Sequence, residues 1–107
     1  MKTKSIIKRL LRLGIEEKDI IREPFSDRSI RYSISVGDSY IRWWHTEETG
    51  DAITLSIKEG KKNWRDNDSG FRMHFFYTIA GMIDYAIGSG LVEAYKKNNQ
   101  EDYGRFE

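Results

Sequence analysis

Ser29–Val36 reads SIRYSISV, with Ile30, Tyr32, Ile34 and Val36 at every second position. An apolar period of two belongs to a strand with one buried face. Gly37-Asp38 follows as a tight turn, and glycine supplies the positive φ that such a turn needs. Closing a hairpin there sets Val36 opposite Ser39, Ile34 opposite Ile41, Tyr32 opposite Trp43 and Ile30 opposite His45. Apolar residues meet on one face, and a slip by one residue would scatter them. Glu48-Thr49-Gly50 fits a second hairpin loop with Gly50 in the left-handed position. It predicts Glu47 opposite Asp51, His45 opposite Ile53, Trp43 opposite Leu55 and Ile41 opposite Ile57.

Both turns define the same core face, bearing Ile30, Tyr32, Ile34, Ile41, Trp43, Leu55 and Ile57. The other face then carries Arg31, Ser33 and Ser35, next to Tyr40, Arg42, Trp44 and Thr46, next to Ala52, Thr54, Ser56 and Lys58. The register predicts Arg31 beside Trp44 and Lys58 beside Tyr40. Such cation–aromatic pairs contribute roughly 0.5–1 kcal/mol each at exposed sites. Trp, Tyr and Arg also dominate interface energetics. This makes Arg31, Tyr40, Arg42, Trp44 and Lys58 the candidate partner-binding set, together with Trp64 from a later loop.

The remaining segments flank this meander. Thr3–Leu13 is predicted as a helix, with Ile6, Ile7, Leu10, Leu11 and Leu13 as its apolar stripe and Gly14 as its stop. Ile20–Glu23, before the only proline, Pro24, reads as an irregular segment or an additional edge strand. Glu59–Gly70 reads as a polar loop in which Lys61, Lys62 and Arg65 surround Trp64. Asp66-Asn67-Asp68 does not continue as a calcium loop, because Gly70 and Phe71 occupy the fifth and sixth positions. Asp68 or Ser69 is expected to cap the next helix. Phe71–Ile87 is predicted as the main helix, from Phe71, Phe75, Ile79, Met82, Ile83, Ala86 and Ile87 at spacings of three and four. After Gly88-Ser89-Gly90, Leu91–Lys97 forms a short second helix, and residues 98–107 form a polar, frayed tail to a domain spanning 1–97.

The predicted architecture is therefore α+β. An N-terminal helix, a three-stranded antiparallel meander and a long and a short C-terminal helix pack on one sheet face. A fourth strand joins if Ile20–Glu23 is extended. The element order resembles that of double-stranded-RNA-binding domains. Those domains begin their last helix with a basic, alanine-rich turn, whereas here the corresponding residues are Phe71-Arg72-Met73-His74-Phe75. The resemblance is one of order and implies no site residue.

Composition narrows the function classes. The chain has 107 residues, no cysteine and a net charge of +1 from 18 basic and 17 acidic residues. It therefore has no disulfide scaffold or thiolate metal site, and its overall charge does not call for nucleic acid. Lys8, Arg9 and Arg12 interrupt the apolar run of a secretory signal, so a cytoplasmic location without membrane partners is expected. No phosphate-binding glycine loop, nucleophile elbow or paired-histidine zinc motif is present. The histidines are His45, on the core face, and His74, which a helix would place about 15 Å from Asp84, too far for a dyad.

No catalytic, cofactor-binding or metal-binding residues are assigned. The leading expectation is a small non-enzymatic protein-binding domain, an adaptor or inhibitor of a larger assembly. A small, motif-poor chain of this kind fits a phage or mobile element. Homodimerisation through the open sheet face is a variant. The alternative is nucleic-acid binding through Lys2, Lys4, Lys8, Arg9, Arg12, Lys61, Lys62 and Arg65, aided by the sheet face.

Overall fold

The computed structural model describes residues 2–60 and 71–104, with side chains described as far as residue 98. The chain is α+β. Helix α1 (Thr3–Arg12) is followed by a short 3-10 turn (Glu17–Asp19). Strands β1 (Ile21–Ser26), β2 (Ser29–Val36), β3 (Ser39–Thr46), β4 (Ala52–Glu59) and β5 (Arg72–Phe76) come next, then helices α2 (Ile79–Gly88) and α3 (Leu91–Gly104). The strands form one antiparallel sheet in the order β1-β2-β3-β4-β5. The expectations for Lys61, Lys62, Trp64, Arg65, the Asp66–Asp68 run and the Asp68 or Ser69 cap lie outside the described residues.

The β2–β3 hairpin has the predicted register throughout, from Val36 opposite Ser39 to Ile30 opposite His45. Gly37 has φ +61°, as the turn requires. Ile30, Tyr32, Ile34, Ile41, Trp43, Leu55 and Ile57 face the core as predicted. Ile34, Trp43 and Ile57 have no solvent exposure, and Ile41 and Leu55 have 1% each. Tyr32 and Trp43 stack with planes 4° apart and centroids 5.4 Å apart. Ile6 and Leu10 of α1, Met82 and Ala86 of α2 and Leu91, Val92 and Tyr95 of α3 close the same core. All the described helices therefore cover one side of the sheet, as the strand alternation demands.

Three expectations are corrected, besides that for the last helix, where α3 continues past Lys97 to Gly104 and is longer than α2. The sheet has five strands, because two further segments join its edges. Ile21–Ser26 pairs with β2, in line with the edge-strand alternative for this segment, and an edge position tolerates Pro24. Arg72–Phe76 is a strand paired with β4, so the main helix does not begin at Phe71. Phe71 and Phe75 are four apart, which suits a helix, but Phe71, Met73 and Phe75 also alternate as in a strand. The helix starts after Thr78, whose Oγ1 accepts from the Gly81 N–H at 3.0 Å.

The third correction concerns the β3–β4 hairpin. Ile41 faces Ile57 as predicted, but the register shifts between Arg42 and Trp44. Trp44 then faces Ile53 and His45 faces Ala52, rather than His45 facing Ile53. The added residue is Thr54, with φ +53°. Such a bulge turns the residues beyond it by half a period. Ala52 consequently enters the core and Ile53 moves to the other face, where it is 45% exposed.

Candidate functional site: the open sheet face

Among the described residues, no element covers the sheet face opposite the helices. From β1 it carries Ile21, Glu23 and Phe25, and from β2 Arg31, Ser33 and Ser35. Tyr40, Arg42 and Trp44 come from β3, and Ile53, Ser56 and Lys58 from β4. Phe71, Met73 and Phe75 complete it at the β5 edge. The alternation of each strand places these side chains here, and the bulge at Thr54 adds Ile53 to them.

Arg42 lies at the centre. Its direct neighbours across the strands are Ser33 on one side and Ser56 on the other. These small residues leave room for the long side chain to lie along the sheet. The guanidinium sits 3.9 Å from the centroid of Tyr40, two residues away on the same strand face. Lys58 approaches the same ring, with Nζ 5.6 Å from its centroid and 4.9 Å from that of Phe71. Tyr40 Oη donates to Met73 Sδ at 3.8 Å. Arg42 and Lys58 make no ion pair with any described carboxylate, and Arg42 Nε is shut off from solvent without an acceptor.

Trp44 anchors the other end. Phe25 meets it edge-on at 5.4 Å and 76°. Phe25, Ser29, Trp44, Ile53 and Thr54 line a shallow groove of about 260 Å³. Trp44 Nε1 is buried and finds no acceptor. Arg31 is the cross-strand neighbour of Trp44, as predicted, but its guanidinium lies 5.9 Å from the Phe25 ring and is ion-paired with Glu23 at 2.9 Å. The groove was not legible beforehand, because the bulge supplies Ile53 and the β1 edge supplies Phe25.

Of the basic residues of the alternative reading, the described ones, Lys2, Lys4, Lys8, Arg9 and Arg12, are not brought to this face. Lys4, Lys8, Arg9 and Arg12 are exposed on α1, in the helical layer behind the sheet. Lys2, ahead of α1, is held at the β3–β4 loop by Asp51, at 3.3 Å, and by the Thr49 carbonyl. That contact pulls the Asp51 carboxyl below its ordinary range.

Both histidines are hydrogen-bonded inside the fold. His45 Nδ1 and Thr3 Oγ1 lie 2.8 Å apart, and Trp43 Nε1 donates to the same hydroxyl at 3.3 Å. His74 is on a strand, not on a helical face with Tyr77, Gly81 and Asp84. Its Nε2 lies 2.9 Å from Tyr85 Oη and 3.2 Å from Glu59 Oε1, and Tyr85 donates to Glu59. Burial and the Glu59 carboxylate push the Tyr85 phenol up to about 12. This cluster ties β4 and β5 to α2, and its His74 Nε2 is engaged by its own neighbours. Reading residues 71–76 as a helix hid it; the period-two alternation of Phe71, Met73 and Phe75 was the signal for it.

No helix among the described residues is long and apolar enough to cross a membrane. Among the same residues, no group of three or more His, Asp and Glu side chains is placed to hold a metal ion. Comparison with family models, curated proteins and solved structures finds no match for this chain.

Proposed function

We propose that the chain is a small non-enzymatic protein-binding domain, an adaptor or inhibitor, and that a partner docks on its open sheet face. The observation that carries this reading is where the apolar exposure falls. Eight large hydrophobic side chains are exposed among the described residues: Leu11, Ile21, Phe25, Ile53, Phe71, Phe75, Tyr77 and Ile87. Ile21, Phe25, Ile53, Phe71 and Phe75, five of the eight, lie on that one face around Tyr40, Arg42 and Trp44. Exposed apolar side chains gathered on one face around aromatic and Arg residues are the composition of an interaction surface rather than of an ordinary solvated sheet.

The Thr54 backbone supports the same reading. A non-glycine residue at positive φ costs roughly 1–2 kcal/mol, and here the bulge moves an isoleucine out of the core direction and into the groove beside Trp44. Such strain is found where function needs it.

The test combines affinity capture with mass measurement. Immobilised wild-type chain should retain a partner that Trp44→Ala and Arg42→Ala lose while remaining folded by circular dichroism. Light scattering on the free chain tests the homodimer variant: a dimer mass that reverts to monomer in Trp44→Ala would make a second copy the partner. Retention of the same partner by both variants removes this face from the assignment.

A further inference from the structure

Building on the protein-binding reading, we infer that the open face takes an acidic, apolar protein segment whose carboxylate seats on Arg42 and Lys58. Charge is the guide. Among the described residues, three cations and one carboxylate lie on the face: Arg31, Arg42, Lys58 and Glu23. Glu23 neutralises Arg31 at 2.9 Å, which leaves Arg42 and Lys58 unneutralised among the described residues. Both converge on Tyr40, at 3.9 and 5.6 Å from its centroid. The ring holds the cations in place but supplies no charge to cancel theirs. Arg42 Nε is already desolvated and unpaired. An arriving carboxylate therefore meets a preorganised guanidinium with part of its desolvation already done.

The surroundings specify what flanks that carboxylate. On one side lies the groove of Phe25, Trp44 and Ile53, and on the other Phe71, Met73 and Phe75. Arg42 and Trp44 are two residues apart on β3, roughly 7 Å at ~3.3 Å per residue. An extended ligand spans this between side chains two positions apart, and a helical one spans it in about one turn. The ligand signature is thus an Asp or Glu with a bulky apolar residue at one of those spacings.

Other occupants fit less well. A second copy of the chain would bring the same two unneutralised cations towards their like, which is unfavourable. Among the described residues nucleic acid would meet only these two unneutralised cations, a shorter run than it needs, and those of α1 lie behind the sheet.

The experiment is selection of a displayed library of random short peptides on the immobilised full chain. Enriched peptides are then synthesised with each Asp or Glu kept, neutralised or changed to Lys. Enrichment of an acid beside bulky apolar residues is expected. Neutralising the acid should weaken binding roughly tenfold. A folded Arg42→Glu,Lys58→Glu chain should prefer the Lys peptide. A labelled single-stranded oligonucleotide at physiological salt is the second arm. Binders that need Trp44 but show no excess of acids overturn this inference and leave the protein-binding reading standing. Binders indifferent to Trp44, or no enrichment at all, count against both. Oligonucleotide binding lost in the doubly reversed chain would reassign the cations to phosphate.

Discussion

Trp43 Nε1 donates to Thr3 Oγ1 across 3.3 Å, joining the middle of the sheet to the first turn of α1. Trp43 is wholly buried, whereas the next residue, Trp44, is half-buried on the opposite face. The pleat thus assigns two identical neighbours to different work. One fills the core, and the other, with Phe25 and Ile53, forms an outward-facing groove.

Removing the acceptor should expose how much that bond matters. Thr3→Val keeps the shape but leaves a buried indole N–H unpaired, which costs about 1–3 kcal/mol. Thr3→Ser should retain most of the stability. Urea denaturation measures both, and equal midpoints for Thr3→Val and wild type would refute the role. By the same measurement Trp43→Ala should cost ~3–5 kcal/mol, and Trp44→Ala about 1 kcal/mol for the lost edge contact with Phe25.

Thr54 makes the opposite prediction. Its side chain is exposed and its φ is +53°, so it loses little packing on truncation. Thr54→Gly removes a left-handed penalty of roughly 1–2 kcal/mol and adds a glycine entropy cost of ~0.5–1 kcal/mol. The net expectation is a gain of about 0.5–1 kcal/mol in the same denaturation experiment. A loss would mean that the threonine stabilises the bulge through contacts of its own.

These residues also mark how far the sequence could be read. The β2–β3 register was legible because four alternating apolar residues and a Gly-containing turn agree on it. The β3–β4 hairpin was legible only up to Arg42, since no residue type announces a bulge at a threonine. Apolar spacing alone left Arg72–Phe76 ambiguous between helix and strand, because Phe71 and Phe75 satisfy a helical spacing while Phe71, Met73 and Phe75 satisfy an extended one. The common face of Tyr40, Arg42 and Lys58 and the Lys58–Tyr40 pairing needed only the local register and were legible, whereas the Arg42–Tyr40 contact was not predicted. The Trp44 groove and the His74–Tyr85–Glu59 cluster needed tertiary neighbours and were not.

Gly60 should resist even the smallest side chain. A Cβ there would lie 2.4 Å from Asp38 Cβ and 2.7 Å from the Asp38 carbonyl carbon and oxygen. Its N–H also donates to Ser39 Oγ at 2.9 Å in a buried position. Gly60→Ala must therefore displace the β2–β3 turn, at a cost of about 1–3 kcal/mol. A thermal midpoint equal to that of wild type would contradict this packing.

Alkaline pH should loosen the tie between β4, β5 and α2. The Tyr85 phenol is raised from near 10 to about 12 by burial and by Glu59, so the folded chain holds this proton more tightly than the unfolded one. The associated stability is fully present below pH 10 and is lost as pH rises towards 12. Tyr85→Phe should be less stable at neutral pH and show a shallower loss over that interval. Phenolate absorbance, taken as wild type minus Tyr85→Phe, should rise late. A difference titration centred near 10 would place Tyr85 in water.

The most direct measurement compares the two layers in one capture experiment. Wild type, Trp44→Ala on the open face and Ile87→Ala on the helical layer are immobilised at equal density, and the retained partner is quantified by mass spectrometry. Ile87 is 49% exposed and belongs to the opposite layer. The account predicts that Trp44→Ala loses the partner while Ile87→Ala keeps it, with both variants folded. Loss with Ile87→Ala and full retention with Trp44→Ala would contradict it and move the interface to the helices.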